Sequence, residues 1–311
     1  MAQKNAWNKY KKDEIKELES LCKDYREFLD NGKTERECVK EIVKQAEDHG
    51  YKDLKKVIKN KESLSAGDKV YAVCMGKSIA MFQIGKEPLE NGMNILGAHI
   101  DSPRIDVKQN PLYENEELAY LDTHYYGGIK KYQWVTLPLA LHGVICKKDG
   151  STVTVNIGDK PNDPVVGVSD LLIHLSGEQM GKKASEVIKG ESLDVLIGSI
   201  PGPAKDEDDK DIKERVKANI LTILSQQYGV DEDDFLSAEL EIVPADKARD
   251  CGLDRSMIMA YGQDDRVCAY TSLEAQLAIP VQERTTCCLL VDKEEIGSVG
   301  ATGMQSRFFE N

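Results

Sequence analysis

Apolar positions recur at spacings of three and four near the start of the chain. Ile15, Leu18, Cys22, Tyr25 and Leu29 form one such stripe, which predicts an amphipathic helix over residues 10–30 that Asn31-Gly32 ends. Thr34-Glu35-Arg36-Glu37 has the form of a capping box and opens a second helix. Its buried stripe is Val39, Ile42, Val43 and Ala46, and His49-Gly50 closes it. His49 in that last turn reads as a helix-end cation rather than a ligand. The period then falls to two. Val70–Cys74 and Ser78–Ile84 flank Met75-Gly76-Lys77, which predicts a β-hairpin. A short apolar strand from Asn94 ends in His99-Ile100-Asp101, and the pleat puts His99 and Asp101 on one face.

From about residue 109 to 237 the pattern is different. Gly127-Gly128, Gly143, Gly150 and Gly158 punctuate short β-like runs such as Thr152–Ile157. Pro201-Gly202-Pro203-Ala204-Lys205 and the acidic run Asp206–Asp209 read as a solvated loop, not a metal site. A helix with Ile212, Val216, Ile220 and Leu224 on one face follows, and Gly229 stops it. The segment reads as a β-rich insertion in a larger α/β domain, giving 1–108, 109–237 and 238–311 as the divisions. Beyond it, Ala238–Val243 alternates as a strand, and the apolar run Met257–Tyr261 leads through Asp264-Asp265-Arg266 into a helix from Val267 to Ala278. Cys287–Val291 reads as a buried strand that stops at Asp292-Lys293-Glu294-Glu295, before a glycine-rich turn ending at Gly303. Side chains alternate along a strand, so Glu294 and Glu295 need not do the same job: one can face a metal while the other faces a water.

The hydrophobic fraction of 41% over 311 residues supports a substantial folded core. No apolar run approaches the roughly 20 residues of a membrane span, and the N-terminus lacks the apolar core of a signal peptide. A net charge of −13 argues against nucleic acid or an anionic membrane as the main partner. The eight cysteines follow no C-x-x-C or zinc-finger spacing, and several sit in apolar runs. Reduced thiols and a cytoplasmic location are the expectation.

His99, Asp101, Asp264, Glu294 and Glu295 all fall at the ends of expected strands, where open α/β sheets place their ligands. A hydrolytic two-metal centre needs imidazole and carboxylate ligands, with one carboxylate bridging the ions. It also needs a carboxylate outside the ligand set to take a proton from water. The five residues supply that inventory. His124 and His142 lie in the insertion without ligand spacing and read as structural.

These residues resemble the M18 metallo-aminopeptidases, the aspartyl aminopeptidase and aminopeptidase I group. The resemblance runs along essentially the whole chain. Its specific pieces are Gly97-Ala98-His99-Ile100-Asp101-Ser102-Pro103-Arg104, Asp264-Asp265-Arg266 and Glu294-Glu295-Ile296-Gly297-Ser298, in matching order and separation. It implies a mixed-sheet α/β zinc-exopeptidase-like catalytic domain with an inserted β-rich dimerisation domain. It further implies His99 as a ligand of one metal, Asp101 as the catalytic aspartate behind it, Asp264 as the bridging ligand, Glu294 as general base and Glu295 as a ligand of the second metal. Asp265 receives only a structural role. Ser169–Leu175 resembles the stretch that lends a histidine to a neighbouring subunit, which makes His174 the substrate-binding candidate; a core histidine on a buried strand is the alternative.

The implied cofactor is zinc, two ions per subunit, with cobalt or manganese as substitutes. The implied partners are peptide substrates and further copies of the chain, in a dodecamer of dimers. Family members extend past the Glu-Glu motif and supply two more ligands there, so the chain is expected to lack its C-terminal part. Phe308-Phe309 then reads as the start of an interrupted helix. Two other functions stay open on these residues: an N-acyl-amino-acid deacylase or carboxypeptidase with the same metal chemistry, and an inactive truncated subunit with an assembly role. Gly297–Gly303 lacks the Gly-Lys-Ser/Thr ending of a P-loop, which excludes a nucleotide-binding reading.

Overall fold

In chain order the secondary structure is α1 (Lys12–Asn31), α2 (Glu35–Asp48), β1 (Lys52–Asp53), α3 (Leu54–Asn60), β2 (Lys69–Cys74), β3 (Ser78–Gln83) and β4 (Met93–His99). Next come β5 (Arg104–Asn115), β6 (Leu118–Tyr126), β7 (Leu139–Cys146), β8 (Thr152–Ile157), α4 (Gly177–Met180), β9 (Val195–Gly198), α5 (Arg215–Tyr228) and β10 (Ala238–Pro244). The chain ends with β11 (Arg249–Cys251), β12 (Met257–Met259), α6 (Gln263–Ala278) and β13 (Thr285–Val291). This computed structural model describes residues 5–203 and 214–310. Residues 204–209 of the expected solvated loop, and Ile212 of the expected helix stripe, lie outside the described residues.

Two compact units divide the chain. One joins Met1–Asp101 to Lys247–Asn311, and the other is Ser102–Asp246. The expected insertion of 109–237 falls inside the second unit, which is wider because β5 and β10 pair with each other at its centre.

The first unit is built on a five-stranded sheet in the order β1-β2-β3-β13-β4. The hairpin expected around Met75-Gly76-Lys77 forms as β2 and β3, antiparallel. β13 pairs antiparallel with β3 and parallel with β4, so the sheet is mixed. Seven consecutive residues of β13, Thr285 to Val291, are buried, as a central strand covered on both faces requires. Against the sheet lie α1, α2 and α6, whose apolar faces meet Ile79, Met81, Cys288 and Leu290 in one cluster with Phe28, Leu29, Ile42 and Leu273. The capping box at Thr34 is present: its hydroxyl accepts the Glu37 N–H, and its own N–H donates to the Glu37 carboxylate. At the other end of α2, a ring nitrogen of His49 lies 2.8 Å from the Gln45 carbonyl oxygen.

The second unit is a six-stranded antiparallel sheet, β8-β7-β10-β5-β6-β9, with α5 packed on β5, β6 and β9. Arg104 is buried in it between Asp106, at 2.7 Å, and Glu241, at 3.0 Å, with its guanidinium over the Tyr126 ring.

All eight cysteines are unbridged. Burial pushes the Cys38 thiol up to about 11 and those of Cys287 and Cys288 up to about 12, so these three stay protonated and inert. Among the described residues, no helix is long and apolar enough to cross a membrane.

The last residues depart from expectation. Beyond Gly303 the chain forms turns rather than a helix, since so short a segment cannot repay helix nucleation by itself. Phe308 and Phe309 pack instead against Ala80, Cys287, Leu289 and Val291. Ile79 has no exposed surface and sits where the helices meet the sheet. Ile79→Ala is expected to destabilise the chain by about 2–5 kcal/mol, measured as a lower urea midpoint with an unchanged slope.

Candidate metal centre

Because β4 and β13 are parallel, they end at the same edge of their sheet. His99 closes β4 directly opposite Val291, which closes β13. One more backbone bond, from the Ile100 N–H to the Val291 oxygen, holds the two exits together at 2.8 Å. Parallel pairing thereby converts two motifs nearly 200 residues apart into neighbours at the carboxyl ends of strands.

Past Val291 the chain turns sharply. Lys293 adopts a left-handed conformation (φ 72°), and Glu294–Ile296 form a single 3₁₀ turn. Strand alternation therefore does not separate Glu294 from Glu295, contrary to expectation, because the strand has already ended. What orders the pair is Asp101. Its carboxylate has no exposed surface, and its two oxygens accept the N–H groups of Glu294 and Glu295, each at 3.2 Å. The same carboxylate lies 3.3 Å from Nδ1 of His99, and the Asp101 backbone oxygen lies 3.0 Å from that nitrogen. One buried anion thus orients the imidazole and holds the glutamate turn.

The third arm comes from the start of α6. Gly262 has φ 79°, and a Cβ there would collide with the Arg266 guanidinium. Asp264 and Asp265 follow with non-helical backbone, joined by a cis peptide bond, before the helix becomes regular. Arg266 is buried and donates to the oxygens of Ile100, at 3.2 Å, and Lys33, at 2.9 Å, with Tyr261 against its guanidinium. It ties the helix start to the residue between His99 and Asp101.

These arms bring four of the expected residues to one place. Nε2 of His99 is 3.4 Å from an Asp264 oxygen and 3.7 Å from a Glu294 oxygen. Donor atoms of His99, Asp264 and Glu295 all lie within 4.8 Å of one another. Two donors on a tetrahedral zinc ion stand about 3.4 Å apart, so the spacing suits a cation held between them. With Nδ1 turned to Asp101, Nε2 is the nitrogen left to face that cation. Asp264 and Glu294 keep 85% and 56% of their side-chain surface exposed, so the site is open to solvent on that side.

Electrostatics point the same way. Burial alone would lower the His99 pKa, but the hydrogen bond and charge of Asp101, helped by Glu294, raise it to about 9. Burial raises the Glu295 pKa, with His99 opposing and Asp101, Asp264 and Glu294 adding to the rise. Four carboxylates gather around this one imidazole, an acid-rich donor set that suits a divalent cation.

His174 is elsewhere, in the second unit. It lies exposed on the 3₁₀ turn Ile173–Leu175, so the buried-strand alternative is overturned: the segment leaves the sheet and its leucines face solvent. His142 is buried with Nε2 3.2 Å from Asp159, and His124 stacks on Tyr125. Residues around the centre that the sequence reading left without a role include Arg266, Asp292, Lys77 and Thr302. For Arg266 a signal existed, since an arginine in the first turn of a helix opposes the macrodipole and needs another reason to be there.

Comparison with known proteins gives the family of the chain. The family model described as "Aminopeptidase I zinc metalloprotease (M18)" matches residues 28–311. A probable M18 family aminopeptidase 1 of Clostridium acetobutylicum is 61% identical over 308 residues, covering 99% of this chain and 65% of the relative. The crystal structure of an M18 aminopeptidase from Thermotoga maritima superposes with a TM-score of 0.91 at 47% identity, covering 99% of this chain and 65% of that one. That of aminopeptidase I from Clostridium acetobutylicum gives 0.89 at 57% identity, covering 100% and 67%. The chain spans about 65% of the length of the curated relatives it matches. On the length of the match and the identity of its relatives, the chain belongs to the M18 family of aminopeptidase I zinc metalloproteases.

Proposed function

We propose that the first unit carries the catalytic residues of a two-zinc aminopeptidase that removes N-terminal residues from peptides, with cobalt or manganese able to replace zinc. The observation that carries this reading is the convergence of His99, Asp264 and Glu295 within 4.8 Å at the joint end of β4 and β13. His99, Asp264 and Glu295 would hold the metal, with Asp264 shared between the His99 and Glu295 sides. When bound, the metal pair polarises the scissile carbonyl and acidifies water.

The chain's own groups do the rest. Asp101 fixes the imidazole so that Nε2 is presented, and it keeps the glutamate turn in register. Glu294 lies beside the three-donor group, 3.7 Å from His99 Nε2. It takes the proton of the attacking water and returns it to the departing amine. The acid-rich surroundings attract the ammonium of a free peptide N-terminus. The second unit serves as the dimerisation domain of a homo-oligomer, and His174 on its exposed apolar turn reaches a neighbouring subunit's substrate.

Five outcomes test the reading. Glu294→Gln keeps its zinc, measured by atomic emission, but loses turnover by about 10² to 10⁴-fold; a near-normal rate would remove Glu294 from the role of base. His99→Ala loses zinc outright. Asp101→Asn, which puts an amide donor where two N–H groups and an imidazole need an anion, weakens zinc binding about 10- to 100-fold. Peptides with a free amine are cleaved and their N-acetylated counterparts are not; the reverse preference would identify a deacylase. Zinc content well under one ion per chain after loading would assign the 311 residues to an assembly role instead.

A further inference from the structure

A second buried carboxylate acts at the start of the glutamate turn. Asp292 has no exposed surface. One of its oxygens accepts the Lys293 N–H at 2.8 Å, and the other accepts the Thr302 hydroxyl at 2.5 Å. Its own N–H donates to the Ser78 hydroxyl oxygen at 3.0 Å, and that hydroxyl donates to the Thr302 backbone oxygen at 2.7 Å. Three consecutive N–H groups therefore end on two buried anions: Lys293 on Asp292, and Glu294 and Glu295 on Asp101.

An anion buried to this degree needs a counter-charge. Lys77, in the turn between β2 and β3, supplies it from 3.9 Å, and its ammonium also meets the Glu35 carboxylate at 2.7 Å. Lys77 and Glu35 are themselves buried, at 4% and 0% side-chain exposure. Burial and the Glu35 charge push the Asp292 carboxyl upward, and Lys77 pulls it back. The segment so held has little preference for its own conformation. Lys293 and Ser298 both carry positive φ, at 72° and 59°, which side chains bearing a Cβ resist. Contacts must impose it.

We infer that Lys77 is a positioning residue for Glu294 and Glu295, acting through Asp292 and Thr302 to fix the turn that carries them. Its ammonium faces the Asp292 carboxylate, whose two oxygens accept the Lys293 N–H and the Thr302 hydroxyl. Thr302 in turn pins the far end of the glycine-rich loop, so the turn is clamped on both sides. The inference rests on Glu295 being a metal ligand for its consequence at the centre, though not for the clamp itself.

The test uses the whole chain, with Thr302→Val as a nearly isosteric removal of one hydroxyl, Lys77→Met as removal of the charge, and Lys77→Met with Glu35→Gln as a charge-compensated pair. Cobalt(II) is titrated in, and its affinity and visible d–d spectrum are recorded. Hydrogen exchange of residues 291–303 is compared with that of β3. Thr302→Val is expected to weaken cobalt binding about tenfold, and Lys77→Met up to about 100-fold, with altered band intensities and faster exchange confined to the turn. Adding Glu35→Gln is expected to recover part of the loss.

Wild-type affinity, spectrum and exchange in Thr302→Val would overturn the inference while leaving the proposed function intact, and that variant decides the matter if Lys77→Met does not fold. If the wild-type chain binds no cobalt, the metal reading fails instead. Exchange at 293–295 then supports the clamp if it quickens in the variants and refutes it if it does not.

Discussion

The carboxylate of Asp101 is the interaction on which the arrangement of the centre depends. Removing an ionised carboxylate from water is costly unless hydrogen-bond donors surround it. Here the donors are the N–H groups of Glu294 and Glu295 and the imidazole of His99, all at 3.2–3.3 Å. Each donor needs the anion as much as the anion needs it, because the turn after β13 has no intrinsic helix or strand partners for those N–H groups. A residue two positions past the end of one strand thereby organises two residues in the turn after another. Its place in the chain matters less than the charge it keeps out of water.

That hub works because the backbone delivers its partners first. Parallel pairing of β4 with β13 sets His99 against Val291, and the antiparallel β3 on the other side leaves β13 central and buried. Arg266 then anchors the start of α6 to the oxygen of Ile100, in the link between His99 and Asp101. Asp264 arrives from a helix N-terminus whose first peptides are not helical, so its side chain projects toward the imidazole rather than along the helix. Three covalently distant segments meet through sheet register, one arginine and one aspartate.

The charge distribution carries the same logic one layer deeper. The outer group of carboxylates, gathered around His99, is a donor set that suits a divalent cation. The inner carboxylates, Glu35 and Asp292, have their cation already in Lys77.

Much of this was legible in the residues. The three- and four-residue periodicity of α1 and α2, the capping box at Thr34 and the β2–β3 hairpin are local properties, set by side-chain pattern and turn chemistry within a few residues. The carboxylates at Glu294 and Glu295 and the His99-x-Asp101 pair stood out because acids and a histidine at the ends of apolar runs have few structural uses. The domain edges were harder, since Arg104–Asn115 and Ala238–Pro244, far apart in the chain, pair with each other within one sheet. The different duties of Glu294 and Glu295 could not come from strand alternation, because the strand stops at Val291 and a turn intervenes. Nor could periodicity show that Lys77, Thr302 and Asp292 share one network, or that Arg266 closes the gap between α6 and β4. The sequence by itself determined the elements and the chemistry available to them. Tertiary structure decided which elements lie side by side, which anions are buried and which cation each one meets, because those energies depend on distance and solvent exclusion between segments far apart in the chain.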